Sequence, residues 1–146
     1  MLKIQYRPAT IDDTAFARNL HRLAYKSVIV EQFGEYNEDM QSQFFARAWV
    51  PQKSTMILVD ELPIGFYRRD INSNYIKLEE IQLLPEYQSK GIGSTIIKQL
   101  IQEAQQLELA LRLQVLKKNR AQQLYLRLGF KQVGVSETHY LMELSK

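Results

Sequence analysis

Residues 83–95 read Leu-Leu-Pro-Glu-Tyr-Gln-Ser-Lys-Gly-Ile-Gly-Ser-Thr, and a helix-forming segment follows them. Pro85 cannot donate to a strand ladder, so a strand is predicted to end there. Gly91 and Gly93 allow a tight turn whose amides carry no side chain nearby. Apolar residues then recur at helical spacing, at Ile96, Ile97, Leu100, Ile101, Ala104 and Leu107. The sequence therefore predicts a strand, a basic turn and a helix whose positive end faces the turn, an arrangement that holds a phosphate group.

The two glycines complete neither of the familiar nucleotide-binding motifs. The dinucleotide fingerprint requires a third glycine where Ile96 stands, and the P-loop requires Gly-Lys-Ser/Thr at the end of a longer loop. The remaining pattern, Gln-Ser-Lys-Gly-Ile-Gly at residues 88–93, resembles the Gln/Arg-x-x-Gly-x-Gly/Ala loop of the GCN5-related N-acetyltransferase (GNAT) superfamily. A flexible turn before an ordinary helix could have the same pattern. The downstream sequence is needed to distinguish such a turn from the acetyltransferase loop.

A second segment carries the same resemblance. Residues 113–130 end in Asn-Arg-Ala-Gln-Gln-Leu-Tyr-Leu-Arg-Leu-Gly-Phe, which is similar to the closing Asn-x-Ala-x-x-Leu-Tyr-x-x-x-Gly-Phe motif of that superfamily. Both motifs stand in the expected order, and the resemblance is specific from about Leu78 to Phe130. The first 75 residues match only in their pattern of elements. In similar enzymes that region binds the acyl acceptor, so the acceptor is left open.

Composition limits the class of protein. A chain of 146 residues with 45% hydrophobic residues predicts one domain, 1–146. It has no cysteine and two separated histidines, which excludes a thiolate nucleophile and argues against a structural zinc site, so no metal is predicted. The N-terminus lacks the apolar run of a signal peptide, and no segment approaches about 18 apolar residues. A cytoplasmic protein without a membrane partner is expected.

Charge is distributed unevenly along the chain, whose net charge is +3. Residues 86–131 hold eight Lys or Arg and three Glu, whereas residues 27–46 hold four acidic residues and no basic one. The first region suits a phosphorylated ligand and the second suits a cation. Solvated surface explains either run equally well.

The order of predicted elements is that of an α/β protein. Strands are predicted near residues 3–7, 55–60, 64–69, 75–84, 110–116, 131–135 and 138–144. Helices are predicted to begin near Thr10, Asn37, Gly93 and Asn119. The strands on either side of the third helix must be parallel neighbours. The resemblance implies the single-domain acetyltransferase fold, with a mixed, mostly antiparallel sheet of six to seven strands, helices on both faces and a splay between the two central parallel strands.

The resemblance also implies that coenzyme A, as acetyl-CoA, is bound around the glycine turn. Matching coenzyme-contacting positions are Leu83, Leu84, Gln88, Ser89, Lys90, Gly91, Ile92, Gly93, Ser94, Asn119 and Tyr125. A helix cap alone would explain Asn119. Tyr125 stands where the family's tyrosine points at the coenzyme sulfur, so it is predicted to be the general acid. The alternative is a half-buried helix tyrosine that packs beside Leu124.

A base is useful because a lysine-like amine with a pKa of ~10.4 is protonated at neutral pH. Glu79 and Glu80 are adjacent on a predicted strand, and alternation sends one to each face. Glu79 shares parity with Leu83, whose backbone pairs with the pantetheine arm in similar enzymes, so Glu79 is preferred. A solvated or ion-paired strand carboxylate would have the same pattern, and Glu80 or a water chain stays open as the base.

The acceptor pocket has four further candidates, namely His21, Tyr25, Tyr36 and His139. A helix histidine such as His21 is more often a packing residue than a base.

The predicted function is acetyl-CoA-dependent acetyl transfer to a primary amine of a small molecule or peptide by direct attack. The alternatives are a non-catalytic acyl-CoA-binding module and a basic nucleic-acid-binding protein. The second lacks the aromatic platform of a single-strand binder, so no nucleic-acid partner is expected. The oligomeric state is open, and a homodimer is one option.

Overall fold

The structure, a computed structural model, describes residues 2–146. The strands are β1 (Ile4–Pro8), β2 (Ser54–Val59), β3 (Leu62–Ile71), β4 (Tyr75–Leu83), β5 (Ala110–Leu116), β6 (Lys131–Val135) and β7 (His139–Leu144). The α-helices are α1 (Thr14–Phe33), α2 (Glu38–Ala48), α3 (Ile92–Leu107) and α4 (Ala121–Arg127). All seven strands lie in one sheet, in the order β1-β2-β3-β4-β5-β7-β6.

Strand directions confirm the predicted mixed sheet. The pairs β1/β2, β2/β3, β5/β7 and β6/β7 are antiparallel, and β4/β5 is the predicted parallel pair. The β4/β5 ladder joins residues 75–78 to residues 110–113, whereas β4 runs on to Leu83 and β5 runs on to Leu116. A parallel pair that joins only at its beginning fits the predicted splay.

The chain divides into two compact units. The first comprises the chain up to Arg68 together with Glu80–Gly93, and the second comprises Arg69–Glu79 together with Ser94–Lys146. The chain passes from one unit to the other within β3, within β4 and at the start of α3. The assignment of a single domain, 1–146, stays a prediction.

Local chemistry fixes the ends of the first two helices. The Asp13 carboxylate accepts a hydrogen bond from the Thr10 amide at 2.9 Å just before α1 begins. After Phe33 the chain enters the left-handed region at Gly34, with φ +86°, and the Gly34 amide donates to the Val30 carbonyl at 2.8 Å. The Asn37 side chain accepts from the Met40 amide at 3.0 Å and caps α2. The predicted helix starts near Thr10 and Asn37 are confirmed.

The core of the first unit forms where α1 and α2 cover β2 and β3. Its buried residues are Ala17, Leu20, Phe45, Trp49, Met56, Leu58 and Phe66. Trp49 stacks on Phe45 and meets Phe66 edge-on at 5.0 Å between ring centroids. Phe45 in α2 and Trp49 directly after it are therefore part of this core.

The hairpin between β2 and β3 differs from the prediction. Its turn was expected over residues 61–63, but Asp60 and Glu61 both take positive φ angles, of 52° and 68°, and β3 begins at Leu62. Two left-handed residues in succession give the tight turn that suits the twist of a hairpin. Pro63 therefore lies inside β3, opposite Leu58, where the register shifts and a missing amide is tolerated.

Gly65 in β3 is required by a close approach to β4. A Cβ at this position would overlap the Gln82 carbonyl oxygen and lie 2.9 Å from Leu83 Cδ2. A backbone carbonyl cannot move aside as the tip of a side chain can, so Gly65→Ala should lower the free energy of unfolding by about 1–3 kcal/mol in urea titration. Gly134→Ala is the matched control, because its Cβ would meet Leu141 at an ordinary 3.5 Å. Equal stability of the two variants would contradict this account.

Candidate functional site

The glycine turn connects the end of β4 to the start of α3. The Gln88 side-chain amide donates to the Leu83 carbonyl at 2.9 Å, which ties the turn to the strand end. Ser89 and Gly91 take positive φ angles of 60° and 85°. A Cβ on Gly91 would meet nothing within 4 Å, so the space beside this backbone is open. Because the first amides of a helix lack intrahelical partners, the start of α3 offers donors to an anion beside that space.

The two glycines of the turn differ. Gly93 lies inside α3, and a Cβ there would make an ordinary contact with Leu83 Cδ1 at 3.9 Å. Only Gly91 needs the left-handed conformation that glycine favours. The sequence pattern treats both glycines alike, because backbone angles do not appear in it.

The other predicted coenzyme-binding residues of this turn have distinct surroundings. The exposed Lys90 ammonium lies over the Tyr87 ring, with Nζ 5.8 Å from the ring centroid. Ile92 is buried at the start of α3, and Leu84 packs against the core of the first unit. Ser94 lies in the first turn of α3 and is partly exposed. Lys90 is thus the charged group of the turn, whereas Ile92 and Leu84 anchor it.

A polar cluster within the first unit joins α1 and β4; we call Tyr25, His21, Glu80, Gln82 and Gln41 the Glu80 cluster. The Tyr25 hydroxyl donates to Glu80 Oε1 at 2.8 Å. Gln82 Nε2 lies 3.0 Å from His21 Nδ1. Glu80 and Gln82 share a face of β4 by strand alternation, and His21 and Tyr25 share a face of α1 one turn apart. The sequence named His21, Tyr25 and Glu80 separately, and the fold brings them together.

Burial sets the protonation of this cluster. Burial raises the pKa of Glu80, and the opposing hydrogen bonds from Tyr25 and Gln82 and the Arg68 charge do not cancel it. Burial also lowers the pKa of His21, with Gln41 opposing the change. Glu80 therefore holds a proton to higher pH than an ordinary glutamate, and His21 is a neutral imidazole at neutral pH.

Glu79, the base preferred from strand parity, has different neighbours. Its Oε2 lies 3.7 Å from Lys77 Nζ, and both side chains are partly exposed. Strand parity relates Glu79 to Leu83 only. It does not include the side chains that α1 brings to the other face of β4. Both carboxylates remain candidates for the base.

Gln82 and Gln41 were not among the sequence candidates. Gln82 is 2% exposed and Gln41 is 3% exposed. A signal was present for Gln82, since it follows Glu80 by two residues on a predicted central strand whose neighbours are apolar. No comparable signal marks Gln41, which lies on an amphipathic helix among other polar residues.

Two predicted acceptor-pocket residues lie outside these contacts. The Tyr36 ring receives Lys26 Nζ at 5.6 Å and the Arg22 guanidinium at 6.0 Å from its centroid. His139 belongs to the second unit, where its Nδ1 lies 2.7 Å from the Thr138 hydroxyl. His139 also lines a shallow cleft of about 250 Å³, and burial, followed by the Lys77 charge, lowers its pKa.

The second unit carries the remaining predicted residues on and beside α4. The Asn119 side chain accepts from the Ala121 amide at 2.9 Å, so its predicted role in capping the helix is confirmed. Tyr125 is 6% exposed, and its ring centroid lies 5.8 Å from that of Phe130. The Phe130 amide donates to the Tyr125 carbonyl at 3.0 Å after the left-handed Gly129, with φ +102°. These contacts fix the Tyr125 ring through its backbone and its apolar face.

Within residues 2–146, none of the helices is both long enough and apolar enough to cross a bilayer.

Comparisons with known proteins agree with this geometry. A family model described as an acetyltransferase (GNAT) domain matches residues 20–140. PaiA N-acetyltransferase from Thermoplasma acidophilum, solved in complex with coenzyme A, is similar in structure, with 22% identity, a TM-score of 0.77 and 99% of each chain covered. The ribosomal-protein-S18-alanine N-acetyltransferase from Escherichia coli has 18% identity and a TM-score of 0.70, over 99% of this chain and 96% of that one.

A third similar structure contains a conjugate of both substrates. Arabidopsis thaliana Naa50, in complex with the bisubstrate analogue CoA-Ac-MVNAL, has 12% identity and a TM-score of 0.69, over 98% of this chain and 99% of that one. At these identities the structural likenesses establish the fold. A search of curated protein sequences gives no significant match.

Proposed function

Because this chain belongs to the acetyltransferase (GNAT) family, we propose that it is an acetyl-CoA-dependent N-acetyltransferase that acetylates a primary amine of a small molecule or peptide by direct attack. The family match over residues 20–140 carries this proposal, since it includes both the glycine turn and Tyr125. The coenzyme complex of the PaiA enzyme and the CoA–peptide conjugate of Naa50 support the same acetyl donor.

The glycine turn fits the phosphate groups of this donor. Gly91 combines a left-handed backbone with open space, and the start of α3 supplies amide donors. Lys90 adds a positive charge at the turn. Acetyl-CoA supplies the activated acetyl thioester, and the protein supplies binding, orientation and proton transfer.

Glu80 is the proposed base. Deprotonating a lysine-like amine at neutral pH costs about 4–5 kcal/mol, at 1.36 kcal/mol per pKa unit. A carboxylate whose pKa is raised by burial accepts a proton more readily than an exposed one, and the Tyr25 hydroxyl fixes one oxygen of Glu80 at 2.8 Å. Glu79 forms a partly exposed ion pair with Lys77 of its own strand, at 3.7 Å. These contacts favour Glu80 over Glu79.

Tyr125 is the proposed general acid. The family motif places a tyrosine at this position, and a phenol can donate its proton to a departing thiolate and regain one from water. The ring packs against Phe130, and the turn after α4 holds the backbone of the same residue, so the side chain is fixed in place. His21, Tyr25, Tyr36 and His139 stay predictions for the acceptor pocket, as do a cytoplasmic location and a homodimer.

An acceptor panel tests the reaction. Small primary amines, free amino acids and peptides with free N-termini or internal lysines would each be incubated with the protein and acetyl-CoA. We expect amine-dependent release of free thiol, and an acetylated product by mass spectrometry, for at least one class. Calorimetric binding of the coenzyme without thiol release for any amine would instead favour the non-catalytic acyl-CoA-binding module.

Gly91→Val should weaken coenzyme binding about tenfold to a hundredfold by calorimetry. A β-branched side chain resists the φ angle of +85° and fills the open space beside the amides, and the loss of one charge-assisted hydrogen bond is worth about 1.5–3 kcal/mol. Lys90→Ala should have a smaller effect, because it removes one exposed, screened charge.

A matched control for backbone strain is available at Gly34. It has the same left-handed conformation, with φ +86°, and equally open surroundings at the end of α1. Gly34→Val should therefore lower stability as Gly91→Val does, with unchanged coenzyme affinity. Equal affinities of the two variants would remove the turn from the binding site.

A further inference from the structure

Gln82 is an uncharged polar residue in the middle of the first unit, at 2% exposure. Burying an amide is unfavourable unless its hydrogen-bonding groups find partners. The Gln82 amide nitrogen lies 3.0 Å from His21 Nδ1, and a hydrogen bond from the Gln82 side chain lowers the pKa of Glu80, which lies two residues away on the same face of β4. The nitrogen carries two hydrogens, so one amide can serve both partners. Gln82 thus connects a carboxylate of β4 to an imidazole of α1.

The contact defines the tautomer of His21. An amide nitrogen only donates, so Nδ1 must accept and the imidazole proton must be on Nε2. Burial keeps this ring neutral by lowering its pKa. A hydrogen bond with the Gln41 side chain opposes this lowering of the His21 pKa and does not outweigh burial.

We propose that Gln82 and His21 are positioning residues, in which neutral His21 holds the Gln82 amide with its nitrogen towards Glu80 and the amide in turn holds the Glu80 carboxylate. This inference rests on the proposed role of Glu80 as the base. Without an acceptor at residue 21, the Gln82 side chain loses the contact that restrains its rotamer, and the amide can turn away from the carboxylate. The helix α1 therefore sets the orientation and the protonation of the base through the contact of His21 with Gln82.

The direction of the effect follows from the groups that face Glu80. These are Tyr25 from α1, Arg68 from β3 and Gln82 from β4 itself, and His21 of α1 contacts Gln82. Burial raises the pKa of Glu80, while the Tyr25 and Gln82 donors and the Arg68 charge lower it. Removing the Gln82 donor, or releasing it from His21, must therefore raise the titration midpoint of Glu80 further. Loss of one hydrogen bond to a charged group corresponds to about one pH unit.

The test is a titration of the Glu80 carboxyl carbon by NMR in the full chain, without substrate, with Glu80→Gln used to assign the signal. Gln82→Leu and His21→Leu should each raise the midpoint by about one pH unit. His21→Asn should restore it, because the asparagine oxygen can accept from Gln82 near the position of Nδ1. Ser54→Ala is the control, since Ser54 is buried in the same unit but donates to the Val50 carbonyl. It should lower stability and leave the midpoint unchanged.

The wild-type protein provides a second readout that needs no variant. Nitrogen chemical shifts of His21 should show a neutral ring protonated at Nε2. A ring protonated at Nδ1, or a Glu80 midpoint that does not move in Gln82→Leu and His21→Leu, would overturn the inference while leaving Glu80 as a candidate base.

Activity separates this inference from the function on which it rests. The low-pH limb of kcat/KM should move to higher pH with the NMR midpoint in Gln82→Leu, and return with His21→Asn relative to His21→Leu. If the NMR midpoint of Glu80 moves and the low-pH limb of kcat/KM does not, Glu80 is not the base. The positioning role of Gln82 and His21 in catalysis then fails as well.

Discussion

Tyr125→Phe is expected to lower turnover by about 10²–10⁴-fold while coenzyme affinity stays nearly unchanged, because a general acid typically contributes that factor. The substitution deletes one hydroxyl and keeps the ring, which is 6% exposed and packs 5.8 Å from Phe130. The turn after α4 depends on the Tyr125 carbonyl, which the substitution does not touch. Loss of one hydrogen bond should lower stability by only about 1 kcal/mol.

The measurement is single-turnover thiol release with calorimetry for the coenzyme. Tyr75→Phe is the matched control, because Tyr75 is a half-buried tyrosine of the second unit that packs 4.5 Å from the Arg112 guanidinium. It should retain turnover. If Tyr125→Phe also retains full turnover where chemistry limits the rate, water or another group supplies the proton, and the proposal for Tyr125 fails even if coenzyme binding stands.

The parts of the fold that the sequence predicted depend on local chemistry. Asp13, Gly34 and Asn37 mark helix ends through contacts within four residues, and the parallel β4/β5 pair follows from the strand–helix–strand order. The hairpin turn was misplaced because Glu61 is of a residue type that rarely takes a positive φ angle, whereas Pro63 is typical of a turn. The need for glycine at position 65 depends on a strand that lies 17 residues later in the sequence at Gln82, and no local pattern contains it.

The candidate site shows the same difference between local and long-range contacts. The glycine turn is contiguous, so its motif was recognisable before the fold was known. The Glu80 cluster joins residues that are 55 apart, for Tyr25 and Glu80, and 61 apart, for His21 and Gln82. Sequence reasoning could name candidates for such a cluster but could not pair them. Strand parity compared Glu79 with Leu83 on one strand, whereas the contacts that distinguish the two carboxylates come from α1.

Glu80→Gln is expected to lower kcat/KM by about 10²–10⁴-fold near neutral pH, with a loss that shrinks as the pH rises. The wild-type base is active only when ionised, and burial raises its pKa, so activity should increase with pH through that raised value. The amide variant has no such limb. Its rate should instead follow the fraction of acceptor that is already neutral in solution.

Glu79→Gln is the comparison that decides between the two carboxylates. Its expected effect is smaller, since it removes a partly exposed ion pair with Lys77, and pairs of this kind contribute about 0.2–1 kcal/mol. A larger loss in Glu79→Gln than in Glu80→Gln would assign the base to Glu79.

The pH at which the Glu80→Gln deficit disappears also reports on the acceptor. An α-amino group, with a pKa of about 8, should close the gap at lower pH than a lysine-like amine, with a pKa of ~10.4.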